Sequence, residues 1–267
     1  MMRFVSFGSG SSGNCYLLST GTDALFIDAG VGVRALKKYF RDYGLNQSKV
    51  RHILITHDHA DHIKCVGSLS YDYQLPVYAT QKVHDGIDRN YCITRKVSLG
   101  LRRIVEPGIT LQLGDFSVTP FTVPHDSSDN VGYQIEADGI TFCIITDAGC
   151  ITPEMASFIH RANHLVIEAN HDVEMLRQGA YPPHLKVRIA STTGHLSNTA
   201  CAEAIANHAS EHLRYVWLCH LSAENNHPEL ARKTIETVLR SYGIVPGADF
   251  KMEVLKRTMP TGIFELT

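Results

Sequence analysis

The chain has 267 residues, of which 44% are hydrophobic and 19% charged, with a formal net charge of −2. This length and composition are ordinary for a globular protein of one large domain. The near-neutral charge excludes a basic footprint spread over the whole surface, as many nucleic-acid-binding proteins have. We find neither an apolar run of about 18 residues, as a membrane-spanning helix needs, nor a signal peptide. We therefore expect a cytoplasmic protein with no membrane partner.

The seven cysteines occur singly, in apolar stretches such as "TFCII" and "VWLCH", and no CxxC pair is present. Isolated cysteines of this kind are typical of reduced, buried thiols in a reducing compartment. The cysteines therefore agree with the cytoplasm and do not indicate a metal site built from thiolates.

The predicted elements begin with short strands separated by Gly/Ser turns. In chain order they are the strands "MRFVSF", "CYLLST" and "ALFID", a helix at about 33–43, the strand "HILIT" and a helix from Asp61 to about Tyr73. Further strands are expected near 77, at 110–123 and at 131–146. The second half alternates the strands "HLVIEA" and "YVWLC" with helices at about 153–161, 172–178, 184–190, 198–210 and 227–242, before closing strands near 251–255 and 261–266. This order predicts one α+β domain over 1–267, with sheets packed face to face and helices outside.

The stretch "GSGSSGN" at 8–14 invites comparison with a phosphate-binding loop. It lacks the GK[ST] ending and does not lie between a strand and a helix. We interpret it as a tight turn between strands, because glycine tolerates positive φ there.

The stretch "ITHDHADHIK" at 55–64 concentrates side chains that bind metals. His57 and His59 alternate along an extended segment, so they can point to one side. Asp61 and His62 follow where the chain turns into a helix, which sends them in another direction. One short segment can therefore contribute to two metal ions.

Three later residues extend this pattern: His125 in "FTVPHD", Asp147 in "FCIITDAG" and His220 in "YVWLCHLS". Each ends an apolar, strand-like run, where the loops of layered folds converge on a ligand. Imidazole with carboxylate suits Zn, Mn or Fe. Two such ions about 3.5 to 4 Å apart can share a hydroxide, which is a nucleophile for hydrolysis.

This succession of ligands resembles the metallo-β-lactamase superfamily, nearly from end to end of the chain. The resemblance implies a four-layer αββα sandwich without an inserted second domain. It implies a first metal on His57, His59 and His125, a second on Asp61, His62 and His220, a bridging Asp147, a supporting Asp28 in "LFIDAG", and an Asp58 that binds neither. Asp61 is expected to orient the attacking water as well.

Glu168 ends the apolar strand in "LVIEAN", and His195 precedes a helix in "TTGHLSNTACAEA". Such a pair can relay a proton to a leaving oxygen, although a structural Glu and His fit the spacing equally well. The pair resembles the Glu/His pair of the tRNA 3′-processing (RNase Z-like) branch, which implies catalytic roles for both residues. A phosphodiester benefits from such a donor because its alkoxide leaves poorly.

Longer stretches, "THDHADHIKCVG", "EANHDVEMLRQGAYP" and "CHLSAENNHPELAR", narrow the resemblance to the YycJ/WalJ group of the superfamily. That group implies a metal-dependent 5′-to-3′ exonuclease on double-stranded DNA, linked with repair. On this hypothesis, four polar residues are candidates for contacts with DNA: His171, Ser222, Asn225 and Asn226.

Other functions remain open at this point. A small-molecule phosphodiesterase of the same superfamily, such as a cyclic phosphate hydrolase, suits the near-neutral charge. A thioester or lactam hydrolase shares the fold, since fold alone does not choose the substrate. A catalytically silent, metal-binding regulatory module is the alternative that is not an enzyme. The sequence does not indicate the oligomeric state.

Overall fold

The computed structural model describes residues 1–267, and they form two seven-stranded mixed sheets. The strands are β1 Arg3–Gly8, β2 Cys15–Ser19, β3 Ala24–Ile27, β4 Val50–Leu54, β5 Val77–Ala79, β6 Arg102–Ile104, β7 Leu111–Leu113, β8 Phe116–Thr122, β9 Val131–Ala137, β10 Ile140–Ile145, β11 His164–Glu168, β12 Tyr215–Cys219, β13 Lys251–Val254 and β14 Ile263–Glu265. The first sheet has the order β14-β1-β2-β3-β4-β5-β6, and the second β13-β12-β11-β10-β9-β8-β7.

Nine α-helices flank the sheets: α1 Val33–Asp42, α2 Ala60–Ile63, α3 Val66–Tyr73, α4 Gln81–Arg89, α5 Pro153–Arg161, α6 Val173–Gln178, α7 Pro183–Ile189, α8 Asn198–His208 and α9 Pro228–Ser241. Helices α1 to α4 share a buried cluster with the first sheet, for example through Phe40 and Phe26. Helices α5, α8 and α9 share another with the second sheet, for example through Ile235 and Leu218. The predicted four-layer αββα sandwich in one domain is confirmed, and no helix is long and apolar enough to cross a membrane.

A third buried cluster fills the space between the two sheets. Trp217 of the second sheet is fully buried there, with its ring centroid 4.8 Å from that of Phe4 in the first. Strand β11 lies between β10 and β12, in parallel with both, and all five of its residues are buried. This is why "HLVIE" is apolar almost throughout, since both faces of a central parallel strand are covered.

Three polar residues that follow strand ends have left-handed backbones: Asp28 after β3 (φ 60°), Asp147 after β10 (φ 49°) and His220 after β12 (φ 54°). Residues other than glycine seldom adopt this conformation, although Asp and His tolerate it better than most. The turn at each position changes the direction of the chain at once, and it brings the three side chains to one edge of the sandwich.

The single helix expected from Asp61 to Tyr73 is wrong. The chain forms α2 and α3 instead, because the N–H of Cys65 leaves the helical pattern and donates to the carbonyl of Ala29 at 2.9 Å. Helix α4 was not predicted from the sequence, although the Thr80 side chain caps it through the N–H of Val83.

Gly30 provides a test of how tightly the first loops are packed. A Cβ atom at Gly30 would lie 1.7 Å from the carbonyl oxygen of Asp61 and 2.6 Å from the backbone nitrogen of Asn14. We expect Gly30→Ala to lower the free energy of unfolding by about 1–3 kcal/mol, because backbone atoms must move. Urea unfolding measures this change. Gly21→Ala is the matched control, since a Cβ there meets nothing within 4 Å; equal stability of the two variants would contradict the expectation.

Candidate metal centre

The first group of candidate ligands lies where the loop after β4 meets the loops after β8 and β10. His57, His59, His125 and Asp147 each offer a ligand atom, and these atoms lie within 4.8 Å of one another. Nε2 of His125 is 3.2 Å from Nδ1 of His59 and 3.6 Å from Oδ2 of Asp147. Nε2 of His57 is 3.7 Å from the same carboxylate oxygen. These four residues thus converge on one small volume.

The nitrogens that face this volume suit a metal ion. His57 is fully buried, and its Nε2 has no hydrogen-bond partner. Burial, followed by the nearby His62, lowers the pKa of His57 well below its usual value, so the ring is neutral with a lone pair to donate. The other nitrogen of His125 is used elsewhere, because Nδ1 donates to the carbonyl of Gly194 at 2.9 Å. An orphaned, buried imidazole nitrogen beside a carboxylate fits a divalent cation.

The second group consists of Asp61, His62 and His220. Oδ2 of Asp61 lies 3.5 Å from Nε2 of His62 and 3.3 Å from Nε2 of His220. Asp28 supports this group, as its carboxylate is fully buried and Oδ2 lies 2.7 Å from Nδ1 of His62. The other oxygen of Asp28 accepts the N–H of Thr56 at 2.9 Å. Such a carboxylate–histidine contact orients a ring toward a metal.

Asp147 lies between the two groups and faces both. Its Oδ2 points to His57 and His125, whereas Oδ1 lies 3.4 Å from Nε2 of His62 and 3.3 Å from Nδ1 of His220. The carboxylate is 2% exposed, so its charge must be met by these neighbours. One side chain with an oxygen toward each group is the geometry of a bridging ligand.

Glu168 and His195 form a contact beside the second group. Oε1 of the fully buried Glu168 lies 2.7 Å from Nδ1 of His195 and 2.9 Å from Nδ1 of His220. Oε2 accepts the N–H of Ala148 and of Leu196. Burial opposes ionisation of Glu168, yet His195 and the other donors lower its pKa to about 2. Although these residues lie close enough to Asp147 to hold an ion as well, both oxygens of Glu168 are already occupied by donors, which favours the relay.

His195 has the electrostatics of a proton donor. Burial alone would lower its pKa, but the charge and hydrogen bond of Glu168, together with the charge of Asp147, raise it. Because Nδ1 is held by Glu168, Nε2 is the nitrogen left for a substrate. The ring centroid lies 4.9 Å from that of His125, so the ring of His195 is close to the first group as well.

Asn14 is a site residue that the sequence reasoning missed. It comes from "GSGSSGN", and its amide nitrogen lies 3.1 Å from Oδ2 of Asp61 and 2.9 Å from Nε2 of His62. Its Oδ1 accepts the N–H of Gly10, which closes the loop. The turn interpreted as a simple strand connection thus positions the second group. The signal available in the sequence was an amide residue that ends a glycine-rich turn before a buried strand.

Asp58 lies apart from the metal ligands, as expected from the resemblance. Its carboxylate accepts the N–H of Ser128 at 3.1 Å and the hydroxyl of the same residue at 2.6 Å. A Cβ at Gly86 of α4 would lie 1.9 Å from this carboxylate, so the helix packs directly on it. Asp58 therefore ties the loop of His57 and His59 to its surroundings.

The four candidate substrate residues lie in different settings. His171 is 3% exposed, burial lowers its pKa, and its Nδ1 has no partner. Asn225 is 1% exposed, and neither of its side-chain polar atoms has a partner. The Oγ atom of Ser222 accepts the N–H groups of Glu224 and Asn225. The amide nitrogen of Asn226 donates to the carbonyls of Ala169 and Asn170 and to Asn198, which favours a supporting role.

A profile of the β-lactamase superfamily domain matches residues 24–220 of the chain. The chain belongs to the metallo-β-lactamase superfamily. The match spans the candidate ligands from Asp28 to His220, and the predicted family and hydrolase class are confirmed.

Individual relatives of this superfamily member cover nearly the whole chain. The exodeoxyribonuclease YycJ of Bacillus anthracis is 36% identical over 262 residues, which cover 98% of each chain. The exodeoxyribonuclease WalJ of Streptococcus pneumoniae serotype 2 is 36% identical over 250 residues, covering 94% of this chain and 93% of that one. The metallo-β-lactamase-fold protein YhfI of Bacillus subtilis superposes with a TM-score of 0.71 over 97% of this chain and 98% of that one, at 19% identity, which shows the shared fold.

The contacts of Asn14 generate a prediction about metal affinity. We expect Asn14→Ala to weaken divalent-metal binding by about 10- to 100-fold, because Asp61 loses the amide donor that orients it. Competition with a chromophoric chelator measures the affinity. Asn207→Ala is the control, since Asn207 is exposed on α8 and donates only to the carbonyl of Glu203. Unchanged affinity in Asn14→Ala, in a protein that unfolds at its usual temperature, would show that Asn14 does not act on the metal.

Proposed function

We propose that this chain is a two-metal phosphodiesterase that degrades double-stranded DNA from the 5′ end, in the cytoplasm. The proposal of two metal ions is supported by the position of Asp147, which has one oxygen toward each group of histidines. DNA as substrate is supported by the names of the relatives that are 36% identical over almost the full chain.

The donor set divides between two ions that share Asp147. The first ion would take Nε2 of His57, Nδ1 of His59 and Nε2 of His125, and the second would take Asp61, His62 and His220. Zinc or manganese suits these ligands, and iron fits them as well. When bound, such ions polarise the phosphoryl oxygens and make water available as hydroxide at neutral pH.

Asp61 is suited to orient the attacking water. Burial would raise its pKa, but His62 and His220 outweigh that effect and lower it, so the carboxylate is charged. Oδ2 is occupied by Asn14 and the imidazoles, whereas the side chain stays 21% exposed. A charged oxygen that solvent can reach is therefore available to accept a hydrogen bond from water and then its proton.

His195 completes the reaction on the other side of the phosphate. The oxygen of water bonds to phosphorus, the bond from phosphorus to the 3′-oxygen breaks, and Nε2 of His195 gives its proton to that oxygen. Glu168 holds the ring through Nδ1 and stabilises its charged form. Contacts from His171, Ser222 and Asn225 to the DNA phosphates belong to the same proposal. They are supported by the unpartnered side-chain atoms of His171 and Asn225 and by the hydroxyl proton of Ser222, whose oxygen accepts two N–H groups.

End-labelled duplex DNA tests the substrate and the polarity. We expect a 5′ label to be released at once as a mononucleotide, and a 3′ label to remain on progressively shorter strands. Mn or Zn should support a higher rate than Mg, because imidazole ligands favour them. The opposite labelling pattern would contradict the polarity. Activity on cyclic nucleotides but not on DNA would favour the small-molecule phosphodiesterase instead, and a protein that binds no metal would favour the regulatory module.

His57→Ala separates metal-dependent hydrolysis from a contaminating nuclease in the same assay. The variant should lose hydrolysis of both DNA and bis-p-nitrophenyl phosphate, since it lacks a ligand of the first ion. His160→Ala, at an exposed position on α5, should retain both activities. Equal rates for the two variants would overturn the assignment of His57.

His195→Ala tests the relay through the leaving group. We expect hydrolysis of DNA to fall by about 10²- to 10⁴-fold, the usual contribution of general acid catalysis. Hydrolysis of bis-p-nitrophenyl phosphate should fall much less, because p-nitrophenolate leaves without a proton. The ratio of the two kcat values measures the effect, and Glu168→Gln should change it in the same direction. Equal losses on both substrates would exclude proton transfer from His195.

A further inference from the structure

A cleft of about 490 Å³ opens beside His195, between α6, α7 and the start of α8. His195 is the residue it shares with the relay, and His171 lines it as well. Two larger clefts of the molecule, about 650 and 810 Å³, contain none of the candidate ligands, nor Glu168 or His195. The cleft beside His195 thus adjoins the relay through that one side chain.

Apolar side chains from the two short helices form much of the wall. Val173 and Leu176 of α6 face the cleft together with Val187 of α7 and Ala190 after it. Val173 is 50% exposed and Val187 is 72% exposed, so this wall is open to solvent. Apolar walls with a few polar groups are the usual composition of a small-molecule site, and the volume lies in the usual range of about 300–1,000 Å³.

The polar groups of the cleft suit a ligand that combines an anionic group with a less polar part. Lys186 and Arg177 lie at the rim. Arg177 is paired with Glu174, but the ammonium of Lys186 donates only to the carbonyl of Arg177 at 2.9 Å. Two of its three protons are therefore free for a ligand. Inside the cleft, the almost fully buried His171 has an Nδ1 atom without a partner.

We propose that this cleft receives the 5′-terminal nucleotide of the DNA strand, which is the nucleotide that departs. This inference rests on the proposed function. His195 gives its proton to the 3′-oxygen when the bond from phosphorus to that oxygen breaks, so the leaving nucleotide must lie on the side of His195. Water supplies the oxygen that stays on phosphorus, and the shortened strand begins with a new 5′-phosphate.

The cleft accounts for two properties of the reaction. Its volume suits one nucleotide, with the base against the valines and Leu176 and the 5′-phosphate near Lys186. Because the wall has no Phe, Tyr or Trp ring and few groups that could distinguish the hydrogen-bonding edges of the bases, all four nucleotides fit similarly. A strand with many nucleotides before the scissile bond does not fit, which limits cleavage to the 5′ end.

Val187→Trp tests the cleft by filling it from the exposed face of α7. We expect the Kd of a deoxynucleoside 5′-monophosphate, measured calorimetrically with and without metal, to rise by about tenfold or more, as for other apolar pockets. The kcat/KM for duplex DNA should fall by at least about tenfold more than that for bis-p-nitrophenyl phosphate. Val245→Trp, a partly exposed valine outside the cleft, is the control and should match the unaltered protein.

Lys186→Met gives a second, chemically distinct test. This variant should lose the preference for a duplex that carries a 5′-phosphate over one that ends in a 5′-hydroxyl. Equal nucleotide affinity in Val187→Trp and the unaltered protein would overturn the proposal, as would inorganic phosphate binding as tightly as the nucleotide. Failure of the unaltered protein to degrade DNA would count against the proposed function instead, and the nucleotide titration would still decide the cleft.

Discussion

The carboxylate of Asp147, buried between two groups of imidazoles, is the interaction on which the rest of the site depends. A charge removed from water is costly unless donors or cations face it. Among the protein's own groups, protonated imidazoles meet this need. Burial alone would lower the pKa of His62 and His220, but Asp147 together with the neighbouring carboxylates raises both, that of His220 to about 10. A divalent cation on each side satisfies the same charge while leaving the rings neutral. The architecture is therefore that of a cation site.

The backbone around Asp147 explains why this arrangement needs the whole sandwich. Asp28, Asp147 and His220 each adopt a left-handed conformation within two residues of the end of a strand. Such conformations cost free energy and persist only where the surroundings determine them. Here the surroundings are the strands β3, β10 and β12, each paired on both sides within its sheet, together with close packing such as that of Gly30 against Asp61. The sheets therefore hold the candidate ligands close together before a metal ion binds.

The sequence predicted the layers and indicated the candidate ligands because both leave periodic or local signals. Apolar runs that end in His125, Asp147 or His220 mark strand ends, and the spacing of His57 and His59 marks an extended segment. The role of Asn14 left only the amide at the end of a glycine-rich turn as a signal, because its partner Asp61 lies 47 positions away and meets it only through the fold. The break between α2 and α3 was hidden for the same reason, since it depends on a contact from Cys65 to Ala29.

Glu168 links the candidate metal site to the proposed proton relay. Its Oε1 contacts a candidate ligand of the proposed second metal, His220, and the proposed proton donor, His195. A change in charge at either imidazole therefore alters the field at the other through a single buried oxygen. Substitutions at His195 and His220 should consequently not be additive, since residues that share a partner couple energetically. The cleft beside His195 extends this unit toward the proposed substrate, because the proposed proton donor also forms part of the wall. In the proposed reaction, the nucleotide departs past His195, and the same side chain then takes up a new proton.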